Sequence, residues 1–411
     1  EQTSVISYTK QNTSNYSVAS SAKKASGSTS STTSSSKKKS GSGSTTTTPP
    51  PTSSGGSTTV NNASASNGQY IVGYYGSWAS YSGYTASKIP ATKLTHINYA
   101  FAKLNSDFTV SLASPTTDAQ NIAALNGLKQ VNSKLKIILS IGGWDYSTYF
   151  SSAAATESNR EKFAQSCLSL VNSLGIDGID IDWEYPVSGG PAGVIHSPYD
   201  KQNFTSLLST VRAKFNAQTA VNGKKYYLTI AGALDSYLNK IEPSNIASIV
   251  DYIFIMGYDI HGSWDKYADF NAPLYTLTNG PSTQYQTSVN DSIKKYLNAG
   301  VAASKLVLGM PFYGNSYTVT SSANNGLFST FTASKSLTYS NIVSNYLSNP
   351  AYSQFFDQTA RVPYLYGNNT FITYENQQSI TEKAQLAKSY GLAGVGAWEL
   401  SQDYNSTLLS A

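Results

Sequence analysis

Residues 177–186 read DGIDIDWEYP, a run in which acidic and apolar side chains alternate. In a β-strand, every second residue projects from the same face. The acids Asp180, Asp182 and Glu184 therefore share one face, and the isoleucines between them share the other. Because the isoleucine face must pack against helices, we expect the three carboxyl groups to point toward the axis of a closed barrel. Asp177 has the parity of the isoleucines and belongs to the start of the strand.

Apolar segments of similar length recur along the chain, separated by helix-like segments. The eight predicted strands are 70–75, 94–101, 135–141, 176–184, 226–233, 250–258, 305–311 and 392–398. Predicted helices include 117–132, 157–174, 200–216, 283–299 and 380–390. Near-continuous apolar strands that alternate with helices indicate a parallel sheet buried on both faces. Eight such units predict an α/β fold of the closed type, a (β/α)8 TIM barrel.

Two segments fall outside this alternation. Residues 313–373 are too long for a strand-to-helix loop, so we expect a small α+β lobe inserted between strand 7 and helix 7. Residues 1–67 are rich in Ser and Thr and lack hydrophobic periodicity, which predicts a disordered linker or tail. The predicted organisation is therefore a low-complexity segment over 1–67 and a catalytic barrel over 68–411, with the lobe at 313–373.

The charge of the chain argues against several classes of partner. The net charge of +5 arises entirely within residues 1–67, which hold six lysines and one acid, and the remainder has equal numbers of basic and acidic residues. A neutral globular part removes the electrostatic basis for nucleic-acid binding. No run of 18 apolar residues is present, so we expect no membrane insertion.

The positions of cysteine, histidine and glycosylation sequons indicate which disulfides, metals and cellular compartment to expect. Cys167 is the single cysteine, which rules out an intrachain disulfide and indicates a small core residue. The three histidines are dispersed and no metal-ligand spacing appears, so we expect no metal and no cofactor. A start at Glu1 without an apolar leader predicts either a mature form or an excised piece of a longer protein, and Asn-x-Ser/Thr sequons favour a secreted or cell-wall-associated protein. We expect a monomer.

Aromatic residues and the acidic strand together point to a chemistry. All five tryptophans, at 78, 144, 183, 264 and 398, lie at or just beyond the carboxyl end of a predicted strand. Active sites of such barrels lie at this face, and Glu184 is the outermost of the three acids. Repulsion between neighbouring carboxylates and their desolvation keep one of them protonated near neutral pH. A structural ion-pair network is the alternative, but the segment contains no Lys or Arg. A protonated acid flanked by aromatic rings suggests a carbohydrate substrate.

The same residues resemble a known family. Residues 177–184 resemble the DGxDxDxE signature of glycoside hydrolase family 18, the chitinases. The resemblance continues at SIGGW (140–144), MGYD (256–259), GMPFYG (309–314) and AWE (397–399). It extends from about residue 69 to the C-terminus. The inserted lobe resembles that of the deep-cleft branch of the family.

The resemblance implies a substrate-assisted retaining mechanism on chitin or chitooligosaccharides. Glu184 would be the general acid, Asp182 would orient the substrate's acetamido group, and Asp180 would tune the charge of Asp182. Tyr258 would hold the acetamide oxygen. Further sugar contacts would come from residues at the strand ends: Tyr75, Trp144, Met256, Asp259, Tyr313 and Trp398, the last as the floor beneath the cleaved sugar.

Two departures and two alternatives accompany this interpretation. Asn315 stands where many relatives carry Arg, and Ser77 replaces a more usual Asn. A non-catalytic chitin-binding lectin would keep the barrel and the tryptophans but lose the acid, which is present here as Glu184. An endo-β-N-acetylglucosaminidase acting on N-glycans would share both signature and mechanism.

Overall fold

The computed structural model describes residues 69–411 apart from residue 282 and the side chains of residues 235 and 236. The predicted N-terminal linker, residues 1–67, lies outside the described residues. The barrel strands are β1 (Tyr70–Gly76), β2 (His96–Leu104), β4 (Lys136–Gly142), β5 (Gly178–Asp182), β6 (Tyr227–Gly232), β7 (Tyr252–Met256), β8 (Leu306–Pro311) and β14 (Gly394–Trp398). A short strand, β3 (Val110–Leu112), pairs antiparallel with the extension of β2.

The eight barrel strands form one closed parallel sheet. Each strand pairs with the next in the order β1-β2-β4-β5-β6-β7-β8-β14, and β14 pairs back with β1. The strands are buried on both faces, as the apolar segments predict; in β4, only the first of seven residues is not buried. The predicted (β/α)8 barrel is therefore confirmed.

Glycines on the inward face make room for large rings in the barrel. A Cβ at Gly309 would lie 2.3 Å from the ring of Phe254, and a Cβ at Gly396 would lie 2.6 Å from the same ring. Phe254 is fully buried on β7. Phe254 and the neighbouring ring of Tyr74, 5.0 Å away between centroids, thus fill part of the interior.

The helices are α1 (Pro115–Gly127), α2 (Gly143–Tyr146), α3 (Phe150–Ala155), α4 (Glu157–Leu174), α5 (Asp200–Asn222), α6 (Pro243–Ile249), α7 (Val289–Asn298), α8 (Tyr339–Ile342) and α9 (Gln377–Ser389). Side chains cap several of them: Thr156 accepts from the Asn159 N–H at the start of α4, and Ser288 accepts from the Asp291 N–H at the start of α7. The cap at Ser288 explains why α7 begins later than the predicted residue 283.

One connection departs from strict alternation. Between β1 and β2 the chain forms three 3₁₀ turns, Ser77–Ser80, Ala86–Lys88 and Ala91–Lys93, where an ideal barrel would have an α-helix. Gly83, at φ 80°, and Pro90 interrupt this segment. Both residues are unfavourable in a helix interior, which accounts for the short turns.

The predicted insertion after the seventh barrel strand, which is β8, and before its helix, α9, is confirmed. It holds β9 (Tyr313–Val319), β10 (Phe331–Thr338), β11 (Ser353–Asp357), β12 (Val362–Gly367) and β13 (Thr370–Thr373), which form an antiparallel sheet in the order β10-β9-β13-β12-β11. This lobe, residues 313–373, contributes to a second hydrophobic cluster around Phe270, Tyr317 and Phe371. It leaves the barrel directly after β8 and returns to it through α9.

Candidate active site

The acidic face of β5 points into the barrel, as the alternation predicts. Asp180 is fully buried and accepts hydrogen bonds from the hydroxyls of Tyr74 (2.8 Å), Ser140 (2.7 Å) and Thr229 (2.7 Å). Burial raises the pKa of Asp180, and these donors act in the opposite direction. Ile179, on the other face of the strand, is fully buried in the core between sheet and helices.

Asp182 lies one step further toward the carboxyl end of the barrel. Burial raises the pKa of Asp182 well above its usual range, and the neighbouring carboxyls of Glu184 and Asp180 raise it further. Its Oδ1 atom is buried and has no hydrogen-bond partner. A buried carboxyl oxygen without a donor is unusual, because leaving one unpaired is costly. Asp182 therefore has a vacant acceptor position beside Glu184.

Glu184 completes the column just beyond the end of β5. Burial raises the pKa of Glu184 to about 7, a hydrogen bond from Tyr185 lowers it, and the charges of Asp259 and Asp145 raise it. Its backbone N–H donates to the Ser147 hydroxyl at 2.9 Å, which holds the chain in place at this point. A carboxyl group with a pKa near neutrality suits general acid–base catalysis.

Close backbone approach beside this column requires glycine. Gly142, at the end of β4, has φ 105° and ψ −108°, and a Cβ there would lie 2.2 Å from the carbonyl oxygen of Asp182. Gly143 has φ 68°, and a Cβ there would lie 2.6 Å from the ring of Phe101. The two glycines turn the chain from β4 into α2 at the edge of the site.

Tyr258 and Asp259 follow β7 and lie near Asp182 and Glu184. Tyr258 is buried, and burial together with the Asp182 charge raises its hydroxyl pKa well above the usual range, so it remains a hydrogen-bond donor. The Tyr313 hydroxyl donates to Asp259, and the Asn271 side-chain oxygen accepts from the Asp259 N–H at 3.0 Å. The backbone N–H of Asn271 donates in turn to Thr373 Oγ1 at 3.1 Å.

A cluster of aromatic rings forms the base of the site next to the acids. Trp398, the last residue of β14, stacks on Phe101 with ring centroids 5.6 Å apart. It also contacts Tyr74 at 5.2 Å and Trp78 at 6.1 Å. Trp398 is half-buried and therefore keeps part of its ring accessible. Met256 is also half-buried, at the end of β7, and Trp144 is 39% exposed at the start of α2.

One expectation from the sequence is wrong. Tyr75 is 1% exposed, stacks on Tyr99 and donates its hydroxyl to the Tyr84 carbonyl, so it cannot contact a sugar. The reason is strand parity: Tyr74 faces inward to Asp180, and its neighbour Tyr75 faces outward. Trp183 likewise does not reach the site, because it shares the outward parity of the isoleucines and stacks on Phe150 at 5.5 Å.

Tyr74 and Phe101 were not singled out from the sequence. Counting alternate positions from the strand ends would have identified Tyr74 as the inward residue of β1. No local pattern marks Phe101, whose position depends on the packing of three strands.

Among residues 69–411 as described, no group of three or more His, Cys, Asp or Glu is arranged to hold a metal ion, and no helix is long and apolar enough to cross a membrane.

Comparisons with known proteins agree with this geometry. The family model described as glycosyl hydrolases family 18 matches residues 70–403. Chitinase A1 of Niallia circulans is 40% identical, in a match that covers 84% of this chain and 58% of that protein. The solved structure of chitinase ChiA74 from Bacillus thuringiensis has a TM-score of 0.77 and 33% identity, and the match covers 82% of this chain and 66% of that one.

A second solved structure matches along nearly its whole length. It is a glycoside hydrolase family 18 N-acetylglucosaminidase from Paenibacillus barengoltzii, with a TM-score of 0.76 and 32% identity over 84% of this chain and 98% of that one. This chain thus spans less than two thirds of the Niallia protein and about two thirds of the Bacillus chain.

Proposed function

The chain belongs to glycosyl hydrolase family 18, and from this we propose that it hydrolyses β-1,4-linked N-acetylglucosamine polymers, chitin and chitooligosaccharides, by substrate-assisted retaining catalysis. One observation carries the proposal. Asp180 and Asp182 on β5 and Glu184 just beyond it form a column of carboxyl groups, and the Glu184 pKa of about 7 allows this residue to hold a transferable proton at neutral pH.

Glu184 is the proposed general acid. It would donate its proton to the glycosidic oxygen as the bond to the leaving sugar breaks. The carboxylate that remains would then accept a proton from the water that enters on the side vacated by the leaving sugar. A group with a pKa close to the working pH serves both steps, since it is neither a very strong acid nor a very weak base.

Asp182 and Tyr258 are the proposed partners of the substrate's acetamido group. The unpaired Oδ1 atom of Asp182 offers an acceptor for the acetamido N–H. The Tyr258 hydroxyl, which stays protonated, offers a donor for the acetamide oxygen. Held in this way, the acetamide oxygen would attack the anomeric carbon and form an oxazolinium ion, so that no separate protein nucleophile is needed. Water would then open this ring with overall retention.

The remaining residues would position the sugar chain. Asp180, held by three hydroxyl donors, would tune the charge of Asp182. Trp398 would be the floor beneath the cleaved sugar, because its half-buried ring is fixed from below by Phe101. Trp144, Met256, Asp259 and Tyr313 would supply further contacts around it. Tyr74 is added to this set as the residue that orients Asp180.

We also propose that the protein acts outside the cell as a monomer that binds chitin. The reason is the substrate: a chitin polymer is too large to cross a membrane, so an enzyme that cleaves it must meet it outside. The Ser/Thr-rich composition of residues 1–67 is typical of linkers in extracellular proteins. Size-exclusion chromatography with light scattering tests the monomer.

Product analysis on three substrates tests the activity. We expect release of the fluorophore from a fluorogenic chitobioside and stepwise shortening of chitooligosaccharides. Removal of glycans from a high-mannose glycoprotein, with chitooligosaccharides left intact, would instead identify an endo-β-N-acetylglucosaminidase. Binding to chitin with no release from any substrate would identify a lectin. Release of single N-acetylglucosamine units only would point to the activity named for the Paenibacillus relative.

A further inference from the structure

A stack of three side chains lies next to the proposed catalytic acid, and two of them come from the connection between β6 and α6. The rings of Tyr185 and Tyr237 are stacked, with centroids 4.2 Å apart and an angle of 28° between their planes. The Lys240 ammonium lies 3.9 Å from the centroid of the Tyr237 ring. Tyr237 and Lys240 both belong to the 3₁₀ helix Asp235–Lys240 that follows β6. We call Tyr185, Tyr237 and Lys240 the clamp.

The clamp also fixes the turn that follows Glu184. Lys240 Nζ donates to the Ser188 carbonyl at 2.8 Å. Gly189 has φ 95°, and a Cβ there would lie 3.0 Å from the Tyr237 ring. Gly190 has φ 81°, and a Cβ there would lie 2.2 Å from the Glu184 carbonyl oxygen. The backbone of this turn therefore lies between the Glu184 carbonyl and the Tyr237 ring, with little space for a Cβ at either glycine.

The innermost member of the clamp acts directly on the acid. The Tyr185 hydroxyl hydrogen-bonds to the Glu184 side chain and lowers its pKa, against the effect of burial. Burial and the Glu184 charge raise the pKa of Tyr185 itself well above its usual range, so this hydroxyl remains a donor. The other titratable groups that face Glu184 are Asp182 on β5, Asp145 on α2, and Tyr258 and Asp259 after β7.

We propose that Tyr237 and Lys240 are positioning residues for the proposed general acid: by holding the ring of Tyr185, they keep its hydroxyl on the Glu184 carboxyl. The inference rests on the proposed function of Glu184 and adds to it. The Tyr185 hydroxyl reaches the acid only in one orientation of its ring, and the stack on Tyr237 holds that orientation. Tyr237 supplies the facing ring, and Lys240 holds that ring by a cation–π contact.

Two simpler roles of the stack make different predictions. A purely structural stack would contribute to the free energy of unfolding but would leave the ionisation of Glu184 unchanged. A sugar contact through Tyr237 would change KM and would leave the pH dependence of kcat/KM unchanged. Only a clamp that acts through Tyr185 couples residue 237 to the pH at which the acid loses its proton.

The test is the alkaline limb of the kcat/KM profile on a chitooligosaccharide. Tyr185→Phe removes the hydroxyl that lowers the pKa of Glu184, so the acid stays protonated to higher pH. We expect the limb to move up by about one pH unit, the size expected for the loss of one hydrogen bond to a charged group. Tyr237→Leu should move it in the same direction by a smaller amount. Tyr237→Phe, which keeps the ring, should return the limb toward its original position.

The double variant Tyr185→Phe/Tyr237→Leu is decisive, because residues that act in series are not additive. It should show no larger shift than Tyr185→Phe alone. Lys240→Met should give a small shift in the same direction, and Tyr199→Leu, at a tyrosine 71% exposed on the surface, is the matched control without a shift. Thermal unfolding of each variant confirms that it is folded.

Each outcome distinguishes the clamp from the proposed function. A single Tyr237→Leu variant that raises KM with an unmoved limb overturns the clamp and identifies a sugar contact. Additive shifts in the double variant also overturn it, since residue 237 would then act on the acid by a separate route. A wild-type protein inactive on every glycoside would instead remove the proposed function. An active wild type with an unshifted Tyr237→Leu profile removes only the clamp.

Discussion

The Tyr74 hydroxyl donates a 2.8 Å hydrogen bond to the carboxylate of Asp180, and this contact joins β1 to the innermost acid of β5. Both residues are buried inside the barrel. Asp180 in turn raises the pKa of Asp182, one step closer to the substrate. A hydroxyl group on the first strand is thus linked through two carboxyl groups to the proposed reaction centre.

Tyr74→Phe should destabilise the protein, because it removes one donor from a buried carboxyl. We expect a loss of about 1–2 kcal/mol in the free energy of unfolding, measured by urea denaturation at pH 7. Tyr81→Phe is the control: Tyr81 is 57% exposed and donates to Thr117 at the surface, so its change should stay within about 0.5 kcal/mol. Equal effects at the two positions would contradict a special role for the Tyr74 contact.

Glu184→Gln should lower kcat by about 10³-fold or more, since it removes the transferable proton and keeps the shape of the side chain. Binding of a chitooligosaccharide, measured by calorimetry, should be largely retained. Glu161→Gln, on the surface of α4 where Glu161 pairs with Lys214, should leave kcat unchanged. A Glu184→Gln variant that retains more than about a tenth of the activity would contradict the assignment of Glu184 as the general acid.

The pH dependence of kcat/KM should have its alkaline limb near the pKa of Glu184, about 7. The acid must be protonated to donate, so activity is present below this pKa and falls as the pH rises through it. Asp145 raises the pKa of Glu184 by its charge. Asp145→Asn should therefore move the limb to lower pH. A limb that moves upward in this variant, or a rate that keeps rising through pH 9, is incompatible with this account.

Gly142→Ala should be far more damaging than Gly175→Ala. Gly142 has backbone angles that other residues rarely adopt, and its new Cβ would meet the Asp182 carbonyl, so we expect a loss of more than about 3 kcal/mol and of activity. Gly175 ends α4 at φ 64° with open space around it, so its replacement should cost only about 1–2 kcal/mol. Chemical denaturation of both variants makes the comparison, and similar losses would refute the close-approach argument.

Much of the architecture follows from period and parity in the sequence. All eight barrel strands lie where apolar runs predict them, and the alternation in 177–186 correctly places Asp180 and Asp182 on the inward face. Helix α4 has the predicted bounds, because Thr156 and Gly175 mark its two ends. Parity also explains why the expectation for Tyr75 is wrong: two adjacent tyrosines on one strand face opposite ways, and Tyr74 is the one that faces the acids.

Other features depend on contacts that no local pattern encodes. The stack of Tyr237 on Tyr185 joins residues from two different strand-to-helix connections, and Tyr237 lies in a short 3₁₀ helix with no strong sequence signal. Phe101 supports Trp398 although nearly 300 residues separate them. Such contacts arise from barrel closure, which brings the ends of distant strands together after the local structure has formed.

The first and last residues of the lobe are both tied to Asp259. Tyr313 reaches it directly through its hydroxyl, and Thr373 reaches it through Asn271, whose side chain accepts from the Asp259 N–H. Deletion of the whole insertion, residues 313 and 373 included, would therefore remove both of these links to Asp259. An engineer who wishes to shorten it should keep residues 313 and 373 and shorten the sheet between them. New sequence is best introduced at the exposed turn Asn368–Asn369, which already adopts left-handed backbone angles and lies outside this anchoring.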